Sequence, residues 1–327
     1  MSGPRIVVLD SFAIDQGEPD RTWPELAALG DVAVYPQTGS AEVVARAGND
    51  TLAVLTNKVS LGAAELSALP ALRYVGVTAT GTDIIDLDAA RAHGVAVTNV
   101  PGYATESVAE LVFALILHFS YDVAGHDAAV KAGVWAASPD FCFFRQPLVE
   151  LAGKTLVLVG AGAIGGAVAR IGEAFGMRVV RAAVPGAPTR AEEPRTPLAE
   201  ALPLGDFVSL HCPLTAATRG LVGAGFLAAM KPGAILINTG RGALVDDAAL
   251  AAALASGHLG GAGLDVLAAE PPPPDHPLTD PRAPWAGRVV TTPHIGWGTV
   301  ESRRRLVTEV ARNLAAFLQG QARNRVV

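Results

Sequence analysis

Cysteine and long apolar runs are scarce in this chain of 327 residues. The two cysteines, Cys142 and Cys212, are far apart, which excludes a disulfide framework of the secreted kind, and they lack metal-ligand spacing, so no metal site is expected. We therefore expect reduced thiols in a cytoplasmic protein. The longest apolar run, residues 111–117, is far shorter than the ~20 residues that span a bilayer, and no signal peptide is visible, so no membrane association is expected.

Positive charge is scarce as well. The formal net charge is −6, and the one basic run, Arg303-Arg304-Arg305, falls in a predicted helix, where it indicates a solvated face. Because phosphate binding needs basic stripes, we expect no nucleic-acid partner. What the chain does have is apolar residues, 50% of the total, which suffice for large cores and an oligomer interface. Its length predicts two domains.

Short apolar runs alternate with helical stretches in two series. Continuous Val/Ile/Leu runs are typical of buried parallel strands. The first series predicts strands at residues 6–9, 32–35, 52–55, 74–77 and 95–98, with helices such as 41–47 and 61–68 between them. The second predicts strands at 156–159, 178–182, 207–210, 234–238, 261–264 and 289–292, followed by an amphipathic helix at 300–319. The predicted fold class is α/β, with two doubly wound, Rossmann-like parallel sheets.

A glycine-rich turn opens the second series. Residues 155–159 read as a buried strand, Gly160-Ala-Gly162-Ala-Ile-Gly165 follows, and a helix continues from there. The first glycine allows a tight turn, the second lets the backbone approach a pyrophosphate, and the third lets helix and strand pack closely. The pyrophosphate then meets free N–H groups at the helix N-terminus. The predicted dinucleotide-binding residues here are Gly160, Gly162, Ala163, Ile164 and Gly165.

The position of this turn predicts the domain order. Because it lies in mid-chain, we expect a dinucleotide-binding domain at residues 100–297, inserted into a substrate-binding domain made of residues 1–99 and 298–327. The helix near residues 107–119 would form the bridge.

The choice of dinucleotide is left open by the next strand. An acidic residue that binds the adenosine ribose is expected at its end, but Ala182 and Ala183 stand there. Without that acid, little excludes a 2′-phosphate, which Arg181, Arg190 or Arg195 could meet. The cofactor is therefore NAD or NADP.

Three polar segments follow predicted strand ends. They are Asn-Thr-Gly-Arg-Gly at 238–242, Leu-Asp-Val-Leu-Ala-Ala-Glu-Pro at 264–271, and Thr-Pro-His-Ile-Gly-Trp at 292–297. Open α/β sheets bind ligands beyond the carboxyl ends of their strands, so Arg241, Glu270 and His294 should converge. Arg241 can grip a carboxylate, His294 can exchange a proton with a carbonyl oxygen, and Glu270 can hold the imidazole. These three are the predicted catalytic residues.

These segments resemble the D-isomer-specific 2-hydroxyacid dehydrogenases. The similarity covers nearly the whole chain and includes residues 99–109, 150–155 and 210–215. Residues 138–143 are similar to the glycerate dehydrogenase/hydroxypyruvate reductase branch. The resemblance implies hydride transfer between NAD(P)H and a small 2-keto acid, with hydroxypyruvate or glyoxylate favoured, to give the D-2-hydroxy acid.

The resemblance also implies further site residues. The loop Ala79-Thr80-Gly81 should offer backbone N–H groups to the substrate carboxylate, alongside Arg241 and His294. Asp265 should contact the nicotinamide amide or its ribose. The cofactor should further contact Thr105, His211, Pro213, Thr218, Thr239, Gly240, Arg241, His294 and Gly296.

The resemblance also bears on the oligomeric state of the protein and on the choice between an enzyme and a binding protein. By resemblance we expect a homodimer, formed through the helix near 107–119 and the loop 135–146, in which Trp135 reaches the partner's active site. A dinucleotide-sensing, corepressor-like binding protein of the same fold is the rival to an enzyme, and the full Arg–Glu–His set argues against it. Glu270 argues against the formate dehydrogenases, which have glutamine there. The absence of lysine at 79–81 argues against phosphite dehydrogenase.

Overall fold

The computed structural model describes residues 3–18, 22–188 and 194–327, and the chain divides into two compact units. Unit 1 is formed by Met1–Ala104 and Trp297–Val327, and unit 2 by Thr105–Gly296. Unit 2 is therefore inserted between the two segments of unit 1. Each unit is built on its own parallel sheet.

Unit 1 contains a sheet of five parallel strands in the order β2-β1-β3-β4-β5. This is a doubly wound order, in which the chain reverses direction beside β1. The strands are β1 Arg5–Val8, β2 Asp31–Val34, β3 Thr51–Thr56, β4 Tyr74–Val77 and β5 Ala96–Thr98. Its helices are α1 Phe12–Asp15, α2 Pro24–Ala27, α3 Val43–Ala47, α4 Ala63–Ser67, α5 Leu87–Ala92 and, at the end of the chain, α12 Val300–Leu318.

Helix α12 packs against the sheet of unit 1. Its N-cap Thr299 accepts a hydrogen bond from the Ser302 N–H (3.2 Å), and its apolar stripe, including Leu306 and Leu314, is buried. The Phe317 ring lies 5.0 Å from that of Tyr74 in β4. Because α12 lies on the sheet that begins the chain, the last segment completes the first core.

The basic run in α12 agrees in part with the solvated face that the sequence predicted, because Arg304 and Arg305 are exposed and Arg303 is half-buried. Arg303 donates to the Ile14 carbonyl (2.9 Å), and Arg305 donates to the Tyr103 carbonyl (2.8 Å). The prediction did not include these carbonyl contacts, which form because a long arginine stem lets the guanidinium reach carbonyl groups of neighbouring loops.

Residues after α12 extend the sheet edge of unit 1. Arg325 forms an antiparallel bridge with Thr98, and the Val326 N–H donates to the Val97 carbonyl (2.7 Å). Buried Asn313 donates to the Asn99 carbonyl (2.9 Å) and accepts from the Asn324 amide (3.0 Å). The edge strand β5 is thus covered by the end of the chain.

Unit 2 contains a sheet of six parallel strands in the order β7-β6-β8-β9-β10-β11. The order reverses at β6, which places a switch point between β6 and β8. The strands are β6 Thr155–Val159, β7 Arg178–Ala182, β8 Phe207–Leu210, β9 Ile235–Asn238, β10 Gly261–Leu264 and β11 Val289–Thr291. Its helices are α6 Thr105–Tyr121, α7 Val123–Lys131, α8 Ala163–Ala174, α9 Leu198–Ala201, α10 Ala224–Ala229 and α11 Asp247–Ala255.

Glycines in β10 let α6 lie close to the sheet. A methyl group on Gly263 would come within 3.1 Å of Leu115, and one on Gly261 within 2.7 Å of Phe119. Helix α6 therefore packs as a buried core helix on the face of unit 2, as its burial of Val112 and Ile116 also shows.

The α/β prediction is confirmed, with strand bounds that agree to about one residue. In the part of the chain that the structure describes, no single helix is long and apolar enough to cross a membrane. Helices α6 and α7 reach the required length and composition only when joined across a 53° bend.

Candidate active site

The three glycines of the turn after β6 each meet a different steric demand. Gly160 has φ +104°, and a methyl group there would lie 2.6 Å from the backbone of His211 and Cys212. A methyl group on Gly165 would lie 2.3 Å from the Gly160 carbonyl oxygen, whereas one on Gly162 would meet nothing within 4 Å. Gly162 is the N-cap of α8 and makes no side-chain cap, so the positive end of a helix opens onto free space. This is the shape that a pyrophosphate requires.

His211 follows β8 at the switch point. Its backbone N–H donates to the Val159 carbonyl (2.8 Å), and its Nε2 is 2.9 Å from the hydroxyl of buried Ser209. Burial of the ring lowers the pKa of His211 to about 4. The imidazole is consequently neutral at physiological pH.

The loop after His211 is shaped by Thr218. The Thr218 hydroxyl is buried, donates to the Pro213 carbonyl (2.6 Å) and accepts from the Thr215 N–H (2.8 Å). Its side chain therefore shapes the loop, and its direct contact with a cofactor stays a prediction, as does that of the exposed Pro213.

The end of β7 is the position at which an acidic residue would bind the adenosine ribose, and Ala182 and Ala183 occupy it. Ala182 pairs with Thr196, so Arg195 lies beside this strand end, half-buried. Arg181 instead turns to Glu173, 3.5 Å away. Arg190 lies outside the described residues.

Asn238 shapes the turn that carries Arg241. Its side-chain amide donates to the Arg241 carbonyl (2.9 Å), and its oxygen accepts from the Gly240 N–H (3.1 Å). In the same turn, the buried Thr239 hydroxyl has no hydrogen-bond partner. An unpaired buried hydroxyl is costly, so a ligand group beside it would supply the missing bond.

Glu270 and His294 form a direct pair. Glu270 Oε2 lies 2.6 Å from His294 Nδ1, and Oε1 accepts a hydrogen bond from the Leu267 N–H (3.1 Å). Both side chains are only partly exposed, at 33% and 23%. His294 has φ +56°, a left-handed conformation that non-glycine residues seldom adopt. The histidine is therefore held by its surroundings.

Asp265 fixes the backbone around His294 through hydrogen bonds. Its carboxylate is buried and accepts hydrogen bonds from the Thr292 hydroxyl (2.6 Å), the Ile295 N–H (2.9 Å) and the Gly296 N–H (2.9 Å). Its carbonyl accepts from the His294 N–H (2.8 Å). The sequence assigned Asp265 to the nicotinamide, and that contact stays a prediction.

The remaining predicted residues occupy defined places in their units. In unit 1, Thr80 of the loop Ala79-Thr80-Gly81 donates through its hydroxyl to the Val100 carbonyl (2.9 Å), and its carbonyl accepts from Asn99 (2.7 Å). The loop after β4 is thus shaped by the segment after β5. In unit 2, Thr105 begins α6.

Sequence reasoning overlooked a set of residues around the Arg241 turn. Gly242 packs against the Leu267–Ala268 backbone, and His276 bonds to Asp247. The pairing of His276 with a residue 29 positions away leaves no local pattern in the sequence. Among residues 3–18, 22–188 and 194–327, no group of three or more His, Cys, Asp or Glu could hold a metal ion.

Comparison with known families decides the identity of this arrangement. Residues 113–296 match the family model described as D-isomer specific 2-hydroxyacid dehydrogenase, NAD binding domain. The chain belongs to the D-isomer-specific 2-hydroxyacid dehydrogenases. The predicted family and activity are confirmed: this is an NAD(P)-dependent D-2-hydroxyacid dehydrogenase.

Relatives of the dehydrogenase match it from end to end. It is 38% identical over 325 residues to the hydroxypyruvate reductase of Blautia hydrogenotrophica, covering 98% of each chain. It is 35% identical over 320 residues to the glycerate dehydrogenase of Methylorubrum extorquens, again covering 98% of each. The fold is also similar to the crystal structure of an NADPH-dependent glyoxylate/hydroxypyruvate reductase from Sinorhizobium meliloti in complex with NADP and malonate. That comparison has a TM-score of 0.82 and 31% sequence identity, and it covers 100% of this chain and 97% of that one. The predicted branch of the family is thereby confirmed.

Proposed function

We propose that the dehydrogenase reduces hydroxypyruvate or glyoxylate to the D-2-hydroxy acid. The observation that carries this proposal is the Glu270–His294 pair, with a 2.6 Å separation, in which Glu270 is held by Leu267 and Leu267 packs against Gly242, the residue after Arg241. The similarity to a hydroxypyruvate reductase and a glycerate dehydrogenase supports the same substrate class. The corepressor-like alternative is not favoured.

The nicotinamide coenzyme would supply the hydride to the substrate carbonyl carbon. The residues fit such a group, because Gly162 leaves open space at the α8 N-terminus and the Thr239 hydroxyl lacks a partner. We propose that the α8 N-terminus holds the pyrophosphate and that Thr239 donates to the coenzyme. NAD and NADP both remain compatible with the alanines at the end of β7.

We propose that His294 is the proton donor and Arg241 the carboxylate clamp. Since Nδ1 of His294 faces Glu270, Nε2 is the nitrogen that passes a proton to the carbonyl oxygen as the hydride reaches the carbon. Glu270 stabilises the imidazolium and fixes the ring orientation. The Arg241 guanidinium would bind the substrate carboxylate with paired hydrogen bonds and polarise the adjacent carbonyl.

A small matrix of assays tests this function. NADH and NADPH are each combined with hydroxypyruvate, glyoxylate and pyruvate, and the loss of nicotinamide absorbance is followed. We expect turnover of the first two acids, and a fall in kcat of several hundredfold in His294→Ala with unchanged coenzyme binding. Wild-type protein that consumes none of the three acids would refute the proposal.

We also propose that the dehydrogenase is a cytoplasmic homodimer. Many of its exposed large apolar side chains fall between residues 121 and 148 of unit 2, and exposed apolar patches commonly mark protein–protein interfaces. They are Tyr121, Val123, Val130, Val134, Trp135, Phe141, Phe144 and Leu148. Both cysteines are free, which suits a reducing compartment. A monomer in sedimentation at micromolar concentration would contradict the dimer.

A further inference from the structure

We infer that Gly242, Asp247 and His276 form a brace that sets the spacing between the Arg241 turn and the Glu270–His294 pair. The inference rests on the proposed roles of Arg241 and His294. None of the three brace residues touches a reacting group, so each is a positioning residue. The brace joins two segments of unit 2 that are separate in sequence: residues 241–247 and residues 267–278.

The first tie is a backbone crossing at Gly242. A methyl group on this buried glycine would lie 1.9 Å from the carbonyl carbon and oxygen of Leu267, and 2.4 Å from the Ala268 nitrogen. These are backbone atoms, which cannot rotate away as the end of a side chain can. Any residue other than glycine must therefore push the two segments apart.

The second tie is a side-chain hydrogen bond. His276 Nε2 lies 3.0 Å from Asp247 Oδ2, and both side chains are largely shielded, with 7% and 20% exposed. The Leu278 N–H donates to His276 Nδ1 (3.3 Å), so Nε2 carries the ring proton and donates to Asp247. Leu278 itself is buried in the main core of the unit. The loop after Glu270 is thereby fixed to the first residue of α11.

The two ties lie on either side of Glu270 in the sequence, at residues 267–268 and at His276. Gly242 directly follows Arg241, and its neighbour Leu267 donates the N–H that holds Glu270 Oε1. Glu270 in turn holds His294 through Oε2. A displacement at Gly242 is therefore transmitted to the orientation of the general acid, while the glycine turn after β6 is not part of the path.

This path predicts a selective defect. A misplacement of about 1 Å between reacting groups can lower turnover roughly 100-fold, because alignment supplies much of the rate. The glycine turn after β6 is not displaced, and the one proposed coenzyme contact near the crossing is that of Thr239, so coenzyme affinity should fall by less than about tenfold. The effect should fall on kcat and on keto-acid binding.

The first test compares Gly242→Ala with Gly225→Ala. Gly225 lies in α10, where an added methyl group meets nothing within 4 Å, so this variant should behave as wild type. We expect Gly242→Ala to lower kcat/KM for the keto acid about 100-fold, while the Kd for reduced coenzyme in a fluorescence titration rises by less than about tenfold. Normal kcat/KM, or an equal loss of coenzyme binding, would overturn the inference.

The second test uses conservative rescue at the other tie. Glutamine at position 276 can still donate to Asp247 through its amide, whereas alanine cannot. We expect His276→Ala to lower kcat about tenfold and His276→Gln to keep it within threefold, with equal coenzyme affinity in both. Equal kcat in the two variants would overturn the role of the hydrogen bond.

A readout that needs no turnover separates this inference from the proposed function. Hydrogen–deuterium exchange should show a protected Leu267 amide in the wild type and lost protection in Gly242→Ala. If the wild type reduces no keto acid, the proposed function fails, and the exchange result still decides the brace. An unprotected Leu267 amide in the wild type would overturn it.

Discussion

Replacing Asp265 with asparagine tests how His294 is held. The carboxylate accepts from the Thr292 hydroxyl, the Ile295 N–H and the Gly296 N–H, and it is 2% exposed. An asparagine has one acceptor oxygen, which can serve Thr292 and Ile295. Its amide group would then face the Gly296 N–H, donor against donor.

The size of the effect follows from these bonds. A hydrogen bond to a charged group contributes about 1.5–3 kcal/mol, and a neutral one about 1 kcal/mol. Losing the bond to Gly296 and weakening the other two should lower the free energy of unfolding by about 4 kcal/mol. Because these bonds hold His294 at φ +56°, kcat should also fall, by about 100-fold.

Urea unfolding and steady-state kinetics measure both effects. Asp246→Asn is the matched control, because Asp246 also accepts backbone N–H groups, at the N-terminus of α11, and asparagine is an equally good cap. The control should change the free energy of unfolding by less than about 0.5 kcal/mol. The reasoning would be refuted by an Asp265→Asn protein of wild-type stability and kcat that binds coenzyme poorly, since that pattern belongs to a nicotinamide contact.

Further predictions concern the coenzyme side. The pKa of His211 is about 4 against an ordinary 6.5, so between these pH values the unfolded chain binds a proton that the folded protein does not. The free energy of unfolding should therefore fall by about 3 kcal/mol between neutral pH and pH 4, relative to His211→Gln, in urea unfolding measured as a function of pH. Thr239→Val should weaken coenzyme binding about tenfold without destabilising the free protein, because the hydroxyl has no partner there; an unchanged Kd in titration calorimetry would remove Thr239 from the site. Ala183→Asp should lower the NADPH-to-NADH ratio of kcat/KM at least tenfold by repelling a 2′-phosphate, and an unchanged ratio would place the adenosine elsewhere.

The sequence predicted the elements well because their signal is local. Strands such as β4 and β6 are buried along their whole length, so each reads as a nearly continuous apolar run with sharp ends. The catalytic candidates could be found for a related reason. Parallel strands carry their ligands at one edge, and Arg241, Glu270 and His294 all follow strand ends.

Contacts between distant residues could not be predicted in this way. Nothing in the sequence distinguishes an aspartate that binds a coenzyme from one that bonds to a loop, so the hydrogen bonds of Asp265 became visible only in three dimensions. The same holds for Gly242, whose neighbour Leu267 is close in space alone. The arginines of α12 show the same limit, since the basic run predicted solvent exposure but not the two distant carbonyl groups that accept from Arg303 and Arg305.

The insertion of unit 2 sets an order of events during synthesis. Unit 2 is one continuous segment, Thr105–Gly296, whereas unit 1 needs Trp297–Val327 to cover its sheet and to bond to β5. On a ribosome, the second unit can close while the first still lacks α12, because domains fold as their residues emerge. Until α12 is synthesised, the face of β4 that carries Tyr74 lacks its packing partner Phe317. The sheet of unit 1 is therefore synthesised first, but it reaches its final packing only after unit 2 can already have folded.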